Sequence, residues 1–193
     1  MCKLTDEIKA KNYELFKKKV SEIGIDPNKI DEYFGDKLIN APYTIEKFNI
    51  LADEGTLLNT VLRVLTPLAL KLNEILPENM RYAKDTIVKI CLLQHMAKAF
   101  MFLPNDNEWE VSKGKKFKFS DKKIALRQGA RSLAIALELG VPMNENEIEA
   151  LTIIDKNGDD EQAKYFATPL GVIIRQANEL TNTISLFSKN ESN

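Results

Sequence analysis

Cysteine is nearly missing from this sequence: 193 residues hold two, Cys2 and Cys91. One stands at the terminus and the other in the apolar run Ile90-Cys91-Leu92-Leu93. Neither a disulfide framework nor a zinc pattern can be drawn from them, and a reducing compartment is the simpler expectation. Histidine is scarcer still, with His95 alone, so no Ser–His or Cys–His nucleophile pair stands out. Glycine and proline number only 8 and 7, which speaks against a disordered or fibrous chain. No apolar run approaches the roughly 20 residues of a membrane span. The N-terminal stretch MCKLTDEIKAKN is charged from residue 3 onward and has no apolar signal core. Neither charge sign dominates: 27 Lys and Arg face 28 Asp and Glu, for a net charge of -1. That balance gives no global pull towards nucleic acid, anionic membranes or acidic substrates. The expectation is a soluble globular protein that stays in a cytoplasm or is packed into something assembled there, with no membrane partner.

What is present is helical punctuation. Thr5 is placed to cap a first helix, with Asp6 and Glu7 in its first turn and Gly24 at its end. Asp26-Pro27 is an N-cap followed by proline at the first helical position, and Gly35 closes that short helix. Residues 1–42 are thus expected to form a helical N-terminal arm, with a boundary at Asn40-Ala41-Pro42, followed by a helical domain over 43–188 and a frayed tail at 189–193. The arm carries Leu4, Ile8, Tyr13, Leu15, Phe16 and Val20 among many charges. Two readings of it are open: it packs on its own body, or it reaches a neighbouring subunit. In the body, Leu57, Leu58, Val61, Leu65 and Leu68 fall at helical spacing. The spacing predicts a long central helix over about 82–102, a third over 121–139 ending at Gly140, a fourth from Asn144 and a last over 168–187. Between the second and third, Glu108–Val111 and Phe117–Phe119 flank Ser112-Lys113-Gly114-Lys115 and read as a short β-hairpin. Strand alternation would put Phe117 and Phe119 together on the helices and Lys118 in water. The fold class expected is all-α with one small hairpin.

Five segments carry a resemblance. Glu54-Gly55-Thr56-Leu57-Leu58-Asn59-Thr60, Leu92-Leu93-Gln94-His95-Met96-Ala97-Lys98, Leu126-Arg127-Gln128-Gly129-Ala130-Arg131-Ser132, the region of Asp155, and Ile174-Arg175-Gln176-Ala177-Asn178 follow one another in the order of the HD-domain superfamily. The chain resembles a degenerate HD phosphohydrolase domain over residues 48–187, and is most similar to phage or phage-derived members. The resemblance implies an HD-like helical bundle. It places Thr60, Gln94, His95, Gln128, Asp155 and Asn178 where the family holds its metal-binding His and Asp. Gly55, Leu57, Leu58, Lys98, Gly129 and Ser132 match the scaffold. Neutral Thr, Gln and Asn do not supply the charge and lone pairs that capture a transition-metal dication. No metal, no cofactor and no catalytic residue are therefore expected. Gln94, Gln128, Gln176 and Asn178 are instead expected to hydrogen-bond one another across the former pocket. The implied function is non-catalytic: a structural or interaction protein, with a virion component such as an oligomeric head–tail ring or adaptor as the extension by analogy. The alternatives are residual metal-dependent hydrolysis through His95 and Asp155, or a nucleotide-binding regulator using Arg127, Arg131 or Arg175.

Two further motifs have plainer accounts. Asp155-Lys156-Asn157-Gly158-Asp159-Asp160 fails the EF-hand pattern, with its glycine at the wrong offset and Phe166 where the bidentate Glu belongs. The hairpin interleaves Lys113, Lys115, Lys116 and Lys118 with Trp109, Phe117 and Phe119. Such a set can stack single-stranded nucleic acid, but a solvated face is the simpler reading. Trp109, Lys115, Lys116 and Lys118 are the candidate partner-docking residues. Protein partners are expected, as a homo-oligomer or a larger assembly, rather than nucleic acid.

Overall fold

A computed structural model describes residues 4–47, 49–121, 125–156 and 167–187. The chain is mostly helical with one small antiparallel strand pair. Helix α1 spans Asp6–Glu22 and starts where Thr5 accepts a hydrogen bond from the backbone N–H of Ile8. Helix α2, Pro27–Phe34, starts at Asp26, whose side chain accepts from the Asn28 N–H. It is followed by α3, Asp36–Asn40. The side chain at each start satisfies an N–H that the first helical turn leaves unpaired.

Residue 42 does not divide the core. Phe16, Val20, Ile30, Phe34 and Leu38 belong to the same apolar cluster as Leu57, Leu65, Ile90, Ala136 and Ile174. The N-terminal arm thus packs on its own body.

Helix α4, Thr56–Thr60, opens at Gly55, whose φ of 75° is left-handed. A Cβ there would lie 2.5 Å from Lys9 Cγ, so both backbone and space call for glycine. The helix continues as a π-helical turn, Val61–Leu65, into α5, Thr66–Ile75. Pro67 lacks an N–H, and the wider turn before it absorbs the mismatch, with Thr66 Oγ1 donating to the Val61 carbonyl. Leu57, Leu58, Val61 and Leu65 of the predicted stripe are buried, whereas Leu68 is only partly buried.

The long helix expected over 82–102 is broken. Helix α6, Lys84–Leu93, ends in tight turns at 94–97 before a short α7, Lys98–Met101. Within the break the Ala97 N–H leaves the helical ladder and donates to Ser132 Oγ at 3.1 Å. The interruption turns His95 and Gln94 towards the last helix. α6 still lies in the core, with Ile87, Ile90, Cys91, Leu92 and Leu93 buried.

The hairpin has a different first strand. β1 is Phe102–Pro104 and β2 is Phe117–Phe119, in the register Phe102↔Phe119, Leu103↔Lys118 and Pro104↔Phe117. Residues Glu108–Val111, expected as a strand, lie instead in helix α8, Glu108–Ser112. Asn107 caps it, accepting from the Glu110 N–H, and Gly114 ends it at φ 88°. Those cap signals outweigh the β-propensity of Trp109 and Val111. Phe117 is buried, whereas Phe119 is 60% exposed and meets Phe102 edge to face. The two rings do not share a buried face, because a two-stranded ribbon twists away from the body after one residue.

Helix α9 spans Gln128–Glu138, starting seven residues later than expected, and ends at Gly140 with φ 81°. Helix α10, Glu145–Thr152, begins with a capping box between Asn144 and Glu147. A 3-10 turn over Ile153–Asp155 follows. The last helix, α11, spans Pro169–Phe187 and packs against α5 and α10. No helix of the described residues is long and apolar enough to cross a membrane. Cys91 is buried and free. The loop of the failed EF-hand pattern beyond Lys156, Cys2 and the tail at 188–193 lie outside the described residues.

Candidate functional site

Four of the six positions singled out from the sequence meet in the interior. His95 stands in the break after α6, Gln94 beside it, Gln128 at the first turn of α9 and Asn178 midway along α11. Asn178 Nδ2 lies 2.9 Å from Gln94 Oε1 and 2.8 Å from the backbone carbonyl of Ile174. Asn178 Oδ1 lies 2.8 Å from His95 Nε2, and His95 Nδ1 lies 2.7 Å from Gln128 Nε2. One backbone atom fixes the polarity of this chain. The Ile174 carbonyl can only accept, so the Asn178 amide nitrogen must face it. Asn178 Oδ1 then faces His95, which makes Nε2 the protonated nitrogen and leaves the Nδ1 lone pair to accept from Gln128. Both imidazole nitrogens are thus occupied.

Tyr43 closes the network on another side. Its hydroxyl is 3.5 Å from both His95 Nε2 and Asn178 Oδ1, and the two rings meet edge to face. His95 is 4% exposed. Burial, with the Lys98 charge adding to it, holds its pKa well below the usual imidazole value. It is the neutral form that the bonding pattern requires.

The arrangement is not fully satisfied. Gln94 Nε2 and Thr60 Oγ1 are buried and have no hydrogen-bond partner among the described residues. An unmade bond of this kind costs about 1–3 kcal/mol each. Both fall at positions where the resemblance places lost metal ligands.

Asp155 stands apart from this centre. Its carboxylate accepts from the N–H groups of Gly129 and Ala130, both at 2.7 Å, at the start of α9. A carboxylate there is favoured by the helix dipole. A Cβ on Gly129 would fall 2.8 Å from Asp155 Oδ2 and 2.9 Å from the Leu151 carbonyl, so the glycine permits this close approach. Gln176 faces solvent and does not join the network, contrary to expectation, because it lies two residues from Asn178 on the opposite side of α11. Arg127 donates to the Asp155 backbone carbonyl, and Arg131 lies over the Phe100 ring beside a separate cavity. Neither lines the space next to His95.

That space is a cavity of about 270 Å³ that shares Tyr43 and Gln128 with the network. Lys98 lines it and is 7% exposed. Its ammonium donates to the Tyr43 carbonyl at 2.5 Å and lies 3.7 Å from the centre of the Tyr43 ring. Burial pushes its pKa down to about 7, partly opposed by Glu46. Sequence reasoning treated Lys98 as scaffold and overlooked Tyr43. The available signal was a single cation inside the apolar run from Met96 to Phe100. Tyr43 had none, because its position depends on the loop before α4.

The lysines of the strand pair are paired within the protein: Lys115 with Glu110 at 3.0 Å, Lys118 with Asp106 at 2.7 Å, and Lys116 with Asp53. They are not a free basic stripe. Trp109, at 69% exposed, stands out in solvent beside them. Among the described residues no group of three or more His, Cys, Asp or Glu is placed to hold a metal. Compared with protein-family models, curated proteins and solved structures, the chain matches none.

Proposed function

We propose that this chain is a non-catalytic structural or interaction protein built on a degenerate HD-type scaffold. One observation carries the reading. The positions that would hold a metal are bonded to one another as Gln128–His95–Asn178–Gln94, with both imidazole nitrogens engaged and no carboxylate among these four side chains. A divalent metal does not fit this donor set. Its neutral amides are weak ligands, and the one imidazole has no free lone pair. Asp155, the one carboxylate among the singled-out positions, caps α9 instead.

Exposed apolar side chains support a role in assembly. Trp109, Val111 and Phe119 project around the strand pair, and Val172, Leu180 and Ile184 project from α11. Large exposed aromatics are characteristic of contact surfaces. By analogy, the resemblance read from the sequence extends the proposal to an oligomeric virion component, a ring or adaptor at the head–tail junction.

The metal test is direct. Purified protein titrated with Mn²⁺ and Zn²⁺ by calorimetry is expected to show no stoichiometric binding. Its urea midpoint is expected to stay unchanged in chelator, with no hydrolysis of nucleotides or phosphomonoesters. One equivalent of metal lost in His95→Ala, together with such hydrolysis, would establish the residual-hydrolase alternative.

A further inference from the structure

Lys98 is unusual for a buried cation. Lysine is almost never buried without a paired anion, yet among the described residues Lys98 makes no ion pair with a carboxylate. Its contacts are a backbone carbonyl and two aromatic rings, Tyr43 at 3.7 Å and Phe102 at 6.0 Å. Those contacts hold the amine in place without setting an anion against it. The remaining side of the group adjoins the cavity, whose apolar wall is Leu51 and Phe102 and whose rim carries Glu46 and Gln128. Gln128 gives one N–H to His95 and has no other partner among the described residues.

We propose that this cavity binds a small organic monocarboxylate, with its carboxylate on Lys98 and its apolar body against Leu51 and Phe102.

Charge and size select that class. Glu46 is held on the rim by Asn49, whose Nδ2 donates to Glu46 Oε2 at 3.0 Å. A fixed negative charge on the same cavity repels a phosphate dianion more than a monoanion. The volume of about 270 Å³ falls just under the roughly 300–1,000 Å³ of ordinary ligand sites. A single ring or short chain fits, whereas a nucleotide overfills it. The proposal goes beyond assembly and does not depend on the HD resemblance. Gln128 belongs to both cavity and network, so an occupant would also touch the hydrogen bond that orients His95.

The test uses benzoate as the probe and inorganic phosphate as the competitor, followed by amide NMR shifts in the full chain. Saturable benzoate shifts are expected at Thr44, Asn49, Phe102 and the Gln128 side chain. Phosphate is expected to shift them weakly or not at all. Lys98→Gln should weaken benzoate roughly tenfold, the loss of one charge-assisted contact. Glu46 is exposed, so Glu46→Gln keeps the fold if Lys98→Gln does not. It should tighten benzoate severalfold and admit phosphate. Absence of benzoate shifts at these residues in both wild type and Glu46→Gln overturns the proposal. So does phosphate binding tighter than benzoate in the wild type.

Discussion

At the residue scale, His95 is defined by its neighbours. A lone buried histidine is ordinarily a hydrogen-bonded structural residue, and here its tautomer is dictated by one carbonyl, that of Ile174, one turn before Asn178 in α11. The consequence is a pH dependence with a definite sign. The folded pKa lies well below 6.5, so below that pH the unfolded chain takes up a proton that the folded chain refuses. Stability is present above pH 6.5 and is lost as pH falls through the unfolded value. Lys98 acts in the same direction higher up, since its folded value of about 7 lies below 10.5. Cys91, pushed from 9.0 to about 12 by burial, opposes the Lys98 contribution above pH 9. Urea midpoints should therefore rise as pH is raised from below 6.5 to about 9 and then level off, where Lys98 and Cys91 offset each other. His95→Asn should flatten the portion below pH 6.5 alone, and a wild-type midpoint that rises on acidification would contradict the neutral assignment.

At the element scale, the decisive feature is the break between α6 and α7. A continuous helix would keep the Ala97 N–H on the Leu93 carbonyl. Ser132 removes that N–H, and the shape of the break depends on its hydroxyl. In Ser132→Ala the Ala97 donor is left buried and unpaired, at a cost of about 1–3 kcal/mol. Ser132→Thr keeps the hydroxyl but adds a methyl where residue 132 is fully buried, so it tests packing separately. Chemical denaturation of both measures the loss, and the His95 imidazole resonances report whether the break has straightened. An unchanged midpoint in Ser132→Ala would show that Ala97 is satisfied some other way. The segment before β2 is a second case in which local chemistry won: Asn107 and Gly114 bracket a helix in a stretch whose side chains alternate like a strand.

At the scale of the whole molecule, the question is what covers the exposed aromatics. Trp109 and Phe119 contribute little to the fold, so Trp109→Ala and Phe119→Ser should each change stability by no more than about 0.5 kcal/mol. If these side chains serve assembly, light scattering across concentrations should show an oligomer in the wild type that the double substitution dissociates. A monomer at every concentration would move weight to the cavity beside Lys98 as the functional feature. A double variant that assembles as well as wild type would place the contact elsewhere, with the exposed stripe of α11 next to be substituted.

The sequence by itself determined the class and most helix ends. Caps at Thr5, Asp26 and Asn144 and stops at Gly24, Gly35 and Gly140 are local: each is settled within a turn of chain by N–H groups needing acceptors or by a backbone that only glycine enters easily. Motif order also placed Gln94, His95, Gln128 and Asn178 on one list. Only the tertiary structure decided how they meet. The break in the central helix, the start of α9, the withdrawal of Asp155 to a cap and the turning of Gln176 to solvent each depend on a partner distant in sequence or on the rotation of a helix against its neighbours. The isolated charge of Lys98 was likewise invisible until Tyr43, 55 residues earlier, supplied the ring and carbonyl that hold it. Local rules fix where a helix begins, but which buried polar group finds which partner is a property of the packed whole.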